Sequence, residues 1–202
     1  RIVAMVHQKM SEMIKPGITT KELDVAAYKI IKNAGATPSF LNYQGFPASI
    51  CTSINDVVIH GIPSGRTLQE GDIISIDVGA NFHGYHGDSA WTYAVGRISQ
   101  ENQHLLEIGE KCLYEGLKHI RHGTRLTDIS HAIQVCFLDN GYSTPLDYSG
   151  HGIGKALHEK PAVMNYGLAG RGPILKKGMT LAVEPMIIAG KCQVKTLNDQ
   201  WS

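Results

Sequence analysis

Apolar residues recur along this chain at two different spacings, and the spacings predict its elements. Ile2, Val3, Val6, Met10 and Met13 keep a helical period that Pro16-Gly17 stops. Thr19-Thr20-Lys21-Glu22 carries the capping-box pattern that opens a second helix; Leu23, Ala26, Ala27, Ile30 and Ile31 would line its buried face, and Gly35 would end it. Strand-like runs follow at 48–54 and 57–60. From Ile73 the period changes to two. Ile74, Ile76 and Val78 alternate with Ser75, Asp77 and Gly79, residues 81–84 have turn chemistry, and residues 85–95 return as the second arm of a hairpin. Ser99 is placed to cap a long helix with Leu105, Leu106, Cys112, Leu113, Leu117 and Ile120 as its stripe. Thr127 is placed to cap another, with Ile129, Ala132, Ile133 and Cys136 inward and Asn140-Gly141 as its stop. Residues 148–159 read as glycine-rich and irregular, and 180–188 and 193–196 as strands.

The second half echoes the first. K-P-G-I-T-T-K-E-L from Lys15 aligns with R-H-G-T-R-L-T-D-I from Arg121, and the same shift of 106 residues puts Gly35 on Gly141 and Ala26 on Ala132. One further residue of shift puts L-Q-E-G-D-I-I-S-I-D from Leu68 on L-K-K-G-M-T-L-A-V-E from Leu175. Self-similarity of this kind predicts two duplicated helix-then-strand halves, about 1–98 and 99–202, inside one domain. Asp77 and Glu184 then occupy matching strand positions, and halves packed about a pseudo-two-fold axis with joined sheets would bring those carboxylates together. The hairpin adds a third acid. With a turn centred on Phe82-His83, Asp77 and Asp88 would face each other, their Cβ atoms roughly 5 Å apart. Like charges so placed repel, which makes sense with a cation between them; two unrelated aspartates on polar strand positions are the plainer alternative.

Composition narrows the function classes. The 202 residues are 43% hydrophobic and 18% charged, ordinary for a protein with a real core, and the formal charge of +1 offers no electrostatic footing for nucleic acid or an anionic membrane. Cys51, Cys112, Cys136 and Cys192 are far apart with no C-x-x-C pair, which argues against a zinc ribbon and fits a reducing compartment. No apolar run reaches the length of a membrane span, and the start lacks a signal-peptide layout, so the cytoplasm is the expected location. A first residue of Arg rather than Met is read as a fragment or a processed chain, and the chain is expected to be cut at both ends.

Three carboxylates on neighbouring strands call for a positive partner, and imidazole would complete an oxygen/nitrogen site for a divalent first-row ion. Of the ten histidines, His119 and His122 read as helix-end surface residues, His83 and His86 as hairpin decoration, and His104 and His131 as solvated helix positions. His151 and His158 stand out in S-G-H-G-I-G-K-A-L-H-E-K-P, and His60 in V-I-H-G-I-P.

Six segments together resemble the type I methionine aminopeptidases of the M24 metallopeptidase family. They are I-N-D-V-V-I-H-G-I-P (54–63), I-D-V-G-A (76–80), G-Y-H-G-D-S-A (84–90), G-H-G-I-G (150–154), H-E-K-P (158–161) and G-M-T-L-A-V-E-P (178–185). The resemblance implies an α+β pita-bread fold: two pseudo-symmetric α/β halves forming a curved, mainly antiparallel sheet with helices on its outer side. It implies removal of the N-terminal methionine from nascent proteins when the second residue is small. Two divalent ions (Co, Mn, Fe, Zn or Ni) would be held by Asp77, Asp88 as a bridge, His151 and Glu184; a fifth ligand of the family, a second bridging Glu, lies downstream of Ser202. The ions would lower the pKa of a shared water, His158 would bond the substrate carbonyl, His60 the scissile nitrogen or the next residue, and Glu184 would shuttle a proton. Tyr43, Phe46, Cys51 and Trp201 would line the methionine pocket with Tyr148 at its edge, and Leu157 stands where the family commonly has Phe. Implied partners are the nascent N-terminus and the ribosome, with no direct nucleic-acid or membrane contact, on a monomer. The alternatives are a pita-bread Xaa-Pro peptidase, whose second-Asp motif differs, and a non-catalytic pita-bread interaction domain, which the four retained ligands disfavour.

Overall fold

The computed structural model describes residues 1–196, and Trp201, expected at the methionine pocket, lies outside the described residues. Two compact units divide the chain: Arg1–Asn102 with Lys155–Leu157, and Gln103–Gly154 with His158–Val194.

The first unit stacks helices on one face of an antiparallel sheet. Helix α1 (Ile2–Met13) buries Val6 and Met10, and α2 (Thr20–Asn33) buries Leu23, Ala27 and Ile31. The expected capping box is formed in full: the Thr19 hydroxyl accepts from the Glu22 N–H, and the Glu22 carboxylate accepts from the Thr19 N–H at 2.8 Å. Strands β1 (Thr37–Pro38) and β2 (Ile50–Ile54) pair with one edge of β3 (Ile73–Phe82), and β4 (Tyr85–Ala94) pairs with the other. Ile74, Ile76 and Val78 of β3 join both helices in one apolar cluster. Period two therefore turns Ser75 and Asp77 to the opposite, polar face, where Ser75 Oγ lies 2.8 Å from Thr92 Oγ1.

The hairpin differs from the expected register. Phe82 pairs with Tyr85, so the two turn residues are His83 and Gly84, with φ of 52° and 82°. Two positive φ values make the turn whose twist suits a hairpin, and glycine takes one of them without strain. Asp88 then sits opposite Gly79, and Asp77 opposite Ala90. The aspartates are diagonal neighbours on one face rather than a facing pair.

The run at 57–60 is not a strand. The Val57 N–H donates to Ile54 O in a turn, and Asn55 and His60 take φ of 53° and 58°. His86 is more than decoration, since its ring bridges Ser39 Oγ at 2.9 Å and the Asn81 amide at 2.8 Å.

In the second unit, α3 (Gln100–Leu117) is capped as expected, with the Asn102 N–H donating to Ser99 Oγ at 3.1 Å. Its fully buried line is Ile108, Cys112 and Gly116; Leu117 and Ile120 of the expected stripe are exposed. The cap of α4 (Leu126–Asp139) is Arg125, not Thr127. Its N–H donates to Asp128 Oδ2 at 3.0 Å, while its guanidinium, which has no acceptor, donates to Gly172 O. Ile129, Ile133 and Cys136 face inward as expected, and Ile133 packs so close to Gly116 that a Cβ there would come within 2.8 Å of it. His131 is half-buried and bonds Gly167 O at 3.1 Å rather than standing in solvent.

The stretch expected to be irregular holds the central strand of this unit's sheet. β5 (Gly150–Gly152) pairs with β6 (Glu159–Val163) on one side and β7 (Leu181–Ala182) on the other. A Cβ on Gly150 would strike Ala182 O, and one on Gly152 would strike Lys160 O. Glycine is required here by close backbone approach, which hides the strand from a propensity reading. The strand expected at 180–188 shrinks to β7 and an isolated bridge between Ser143 and Ile188, and 193–196 carries no regular structure. No helix among the described residues is long and apolar enough to cross a membrane.

Candidate metal centre

Each unit presents its own pair of groups. In the first, Asp77 and Asp88 project from β3 and β4 on the polar face, both half-buried, with Cβ atoms roughly 7 Å apart as diagonal neighbours. Cys51 on β2 is the cross-strand partner of Asp77 and is buried. Burial pushes its thiol well above the ordinary range, and the charges of Asp77, Asp88 and Asp24 push it further. The thiol therefore stays neutral near pH 7, a soft apolar wall rather than a nucleophile or thiolate ligand.

Gly79, opposite Asp88, leaves room for an aromatic ring: a Cβ there would lie 2.6 Å from Phe40 Cε1. Phe40 is a buried residue on this face that the sequence reading passed over; the glycine inside I-D-V-G-A was its only signal. Tyr43 opens a 3-10 turn at Tyr43–Gly45, its N–H bonded to Phe40 O at 2.9 Å, and Phe46 follows in the core.

His60 is held in the left-handed region by the residue after it. Gly61 O accepts from the Thr52 N–H at 2.7 Å, and the Gly61 N–H donates to Ser53 Oγ at 3.2 Å. A non-glycine residue kept there stores strain, a feature common at functional sites.

In the second unit, His151 lies on β5 and Glu184 two residues beyond β7, with Nε2 3.2 Å from Glu184 Oε1. The His151 Nδ1 is 2.8 Å from Gly152 O. A carbonyl only accepts, so Nδ1 carries the proton, and Nε2 of the neutral ring presents a lone pair to the carboxylate. Glu184 Oε1 is buried and takes no hydrogen bond. Two lone pairs so placed repel unless a cation lies between them or the ring is protonated. Two donors sharing an ion at about 2.1 Å each stand about 3.0–3.4 Å apart at ordinary coordination angles. A backbone carbonyl on the far ring nitrogen is also the usual support of a metal-binding imidazole. This donor set fits a divalent cation.

His158 packs its ring edge on His151, centroids 4.3 Å apart, and is exposed. Tyr148 is half-buried just before β5. Among the described residues, no group of three or more His, Cys, Asp or Glu side chains is assembled for a metal ion; the acids and imidazoles come in pairs.

Comparison with known proteins adds to this geometry. The description of Metallopeptidase family M24 matches residues 1–199. Methionine aminopeptidase 1 of Bacillus subtilis (strain 168) is 54% identical over the whole chain, which covers 82% of that protein. The chain belongs to metallopeptidase family M24, in its methionine aminopeptidase branch. A methionine aminopeptidase of Clostridium acetobutylicum is 51% identical, with 81% of its length covered. The crystal structure of methionine aminopeptidase from Rickettsia prowazekii superposes with a TM-score of 0.97 at 40% identity, covering all of this chain and 82% of that one. The pita-bread fold expected from the M24 motifs is therefore the fold of this chain. A prolidase from Pyrococcus furiosus matches at a TM-score of 0.79 and 23% identity over 52% of its length, a likeness of fold alone. Membership of M24 makes the chain a metal-dependent peptidase.

Proposed function

We propose that this chain removes the N-terminal methionine from newly made proteins whose second residue is small, with two divalent ions held by Asp77, Asp88, His151 and Glu184. The single observation that carries the reading is the approach of His151 Nε2 to a buried, unbonded Glu184 oxygen at 3.2 Å, in a chain of this family. Asp88 would be the carboxylate shared by both ions. When bound, the ions supply Lewis acidity, making water nucleophilic near neutral pH and polarising the scissile carbonyl. Oxygen and nitrogen donors of this kind accept Co, Mn, Fe, Zn or Ni.

The chain's own residues do the rest. Gly152 O fixes the His151 tautomer. His158 donates a hydrogen bond to the substrate carbonyl as negative charge develops there, and its exposure gives it room to meet a substrate. His60, set at an uncommon φ, accepts from the scissile N–H or bonds the next residue. Glu184 passes a proton to the leaving amine. Neutral Cys51 and buried Phe46, with Tyr43 and Tyr148, receive the unbranched thioether side chain. The enzyme works as a cytoplasmic monomer on chains leaving the ribosome.

The test is selective cleavage. The intact protein is incubated with Mn²⁺ or Co²⁺ and either Met-Gly-Met-Met or an Xaa-Pro-Yaa peptide. Methionine is released from the first and nothing from the second. Release from the proline peptide alone makes the chain a proline-directed peptidase, and release from neither removes the catalytic reading.

A further inference from the structure

The first unit holds a histidine that the mechanism above does not use. His7, on α1, lies over the helix-side face of the hairpin, 2.9 Å from Ser89 O through Nε2 and 2.9 Å from the Tyr93 hydroxyl through Nδ1. The Tyr93 hydroxyl also donates to His7 O at 3.1 Å, and the two rings stack with centroids 6.2 Å apart. The proton positions follow. Ser89 O only accepts, so Nε2 carries the hydrogen and Nδ1 accepts, and the phenol shares its one hydrogen between Nδ1 and His7 O. Burial lowers the His7 pKa and raises that of Tyr93 to about 12, so both stay neutral in these roles near pH 7.

Ser89 and Tyr93 are four residues apart on one face of β4, a span of about 13 Å, so the His7–Tyr93 pair ties one helix residue to two points of the strand. Within this unit β4 is hydrogen-bonded only to β3, and its other edge has no strand partner among the described residues. Around the pair, α1 and β4 leave a shallow depression of about 380 Å³ lined by Ala4, Ser11 and Trp91 as well as these three residues. Tyr93 also packs against the apolar cluster that Val6 and Met10 of α1 join, and the hydrogen bonds add directional ties that packing does not supply. The residue before Ser89 is Asp88, whose side chain projects from the opposite face of the same strand.

We propose that His7 and Tyr93 are positioning residues that hold β4 in place behind Asp88 and so set the metal affinity of the enzyme. The inference rests on the reading of Asp88 as a metal ligand. The hydrogen bond to Ser89 O limits sliding and tilting of the strand, so the carboxylate is presented at one depth and angle. Groups that orient a ligand from behind change metal affinity by about 10–100-fold when removed.

The experiment is Mn²⁺ titration calorimetry on the metal-free intact protein, with thermal melting of each variant in the metal-free state. His7→Leu keeps bulk and loses both hydrogen bonds; Mn²⁺ affinity is expected to fall about tenfold. Tyr93→Phe loses only the hydroxyl and is expected to fall less. His7→Gln, whose amide nitrogen reaches about as far as Nε2, is expected to recover most of the affinity. Asp88→Asn is the control and is expected to lose the bridged ions. Any order other than H7L weaker than Y93F weaker than H7Q overturns the proposal, as do values all within twofold of the parent. If H7L does not fold, Y93F against the parent decides alone. Parent-like binding by Asp88→Asn would instead overturn the ligand assignment itself.

Discussion

The two units share a frame and differ in what they mount on it. Helices α2 and α4 begin and end 106 residues apart, at Thr20–Asn33 and Leu126–Asp139. Gly17 and Gly123 both have φ of 95°, and Gly35 and Gly141 both have φ of 75°. The Gly17 N–H donates to Leu68 O at 2.9 Å, and the Gly123 N–H to Leu175 O at 3.0 Å. The pairing of Thr37 with Asn81 returns as the bridge between Ser143 and Ile188. On this common frame, the first unit runs its acid-bearing strand for ten residues and doubles back, placing two carboxylates on one hairpin. The second unit stops after the two residues of β7 and sets its carboxylate beside an imidazole from β5. A duplicated scaffold thus keeps helix, stop and strand start, while the chemistry diverges in what packs next to the strand.

The sharpest way to break the comparison is to remove one group from each kind of pair. Asp88→Asn is expected to lower turnover at least about 10³-fold and to reduce bound Mn²⁺ per chain, because a shared carboxylate is lost. His158→Ala is expected to keep its metal and to lower kcat about 10²–10³-fold, the usual cost of one oxyanion donor. Steady-state kinetics with metal analysis on the same samples checks both. Equal metal loss in the two variants would abolish the distinction between ligand and hydrogen-bond donor.

Glycine separates the units next. Gly152→Ala puts a Cβ against Lys160 O in the central strand of the second unit, and backbone cannot move aside as a side chain can. A loss of about 3 kcal/mol is expected. Gly87→Ala on β4 of the first unit meets no heavy atom within 4 Å, and the change should stay within about 0.5 kcal/mol. Urea unfolding of both variants measures the contrast, and similar midpoints would mean that β5 is not held as tightly as its close approaches imply.

These glycines also mark where the sequence was legible and where it was not. The long hairpin, α1, α2 and the Thr19 capping box were readable because local signals agree with tertiary burial: period-two apolar residues on β3, and a hydroxyl and carboxylate three apart before a helical stripe. The strand β5 was unreadable because a sheet interior tight enough to demand Gly150 and Gly152 erases the β-branched signal that announces strands. The apolar run at Val57 misled in the opposite sense, since a turn at Asn55 and the clamp on Gly61 O override its composition. Of the candidate site, the acids stood out through the period-two strand and the internal repeat and the imidazoles through their local setting, while their separate roles came only from the family motifs. The one-residue shift of the hairpin turn needed backbone dihedrals, and the His7–Tyr93 pair joins residues 86 apart with no motif between them.

The smallest effect lies at the matched helix starts. Thr19 donates its hydroxyl hydrogen to Glu22 Oε2 at 2.6 Å, while Arg125 in the equivalent place has no hydroxyl to offer Asp128. The Thr19 hydroxyl and then the Thr19 N–H hold the Glu22 carboxyl below its ordinary value of 4.5. A carboxyl with a depressed folded-state pKa stabilises the fold above its unfolded value and loses that contribution as pH falls through the folded one. Thr19→Ala should therefore lower the melting temperature slightly at pH 7, and the gap from the parent should narrow as the pH drops below about 4. Melting curves from pH 7 to pH 3 follow that gap. A gap of constant size across the range would mean that the Thr19 hydroxyl stabilises the helix through the Glu22 N–H alone, without the carboxylate.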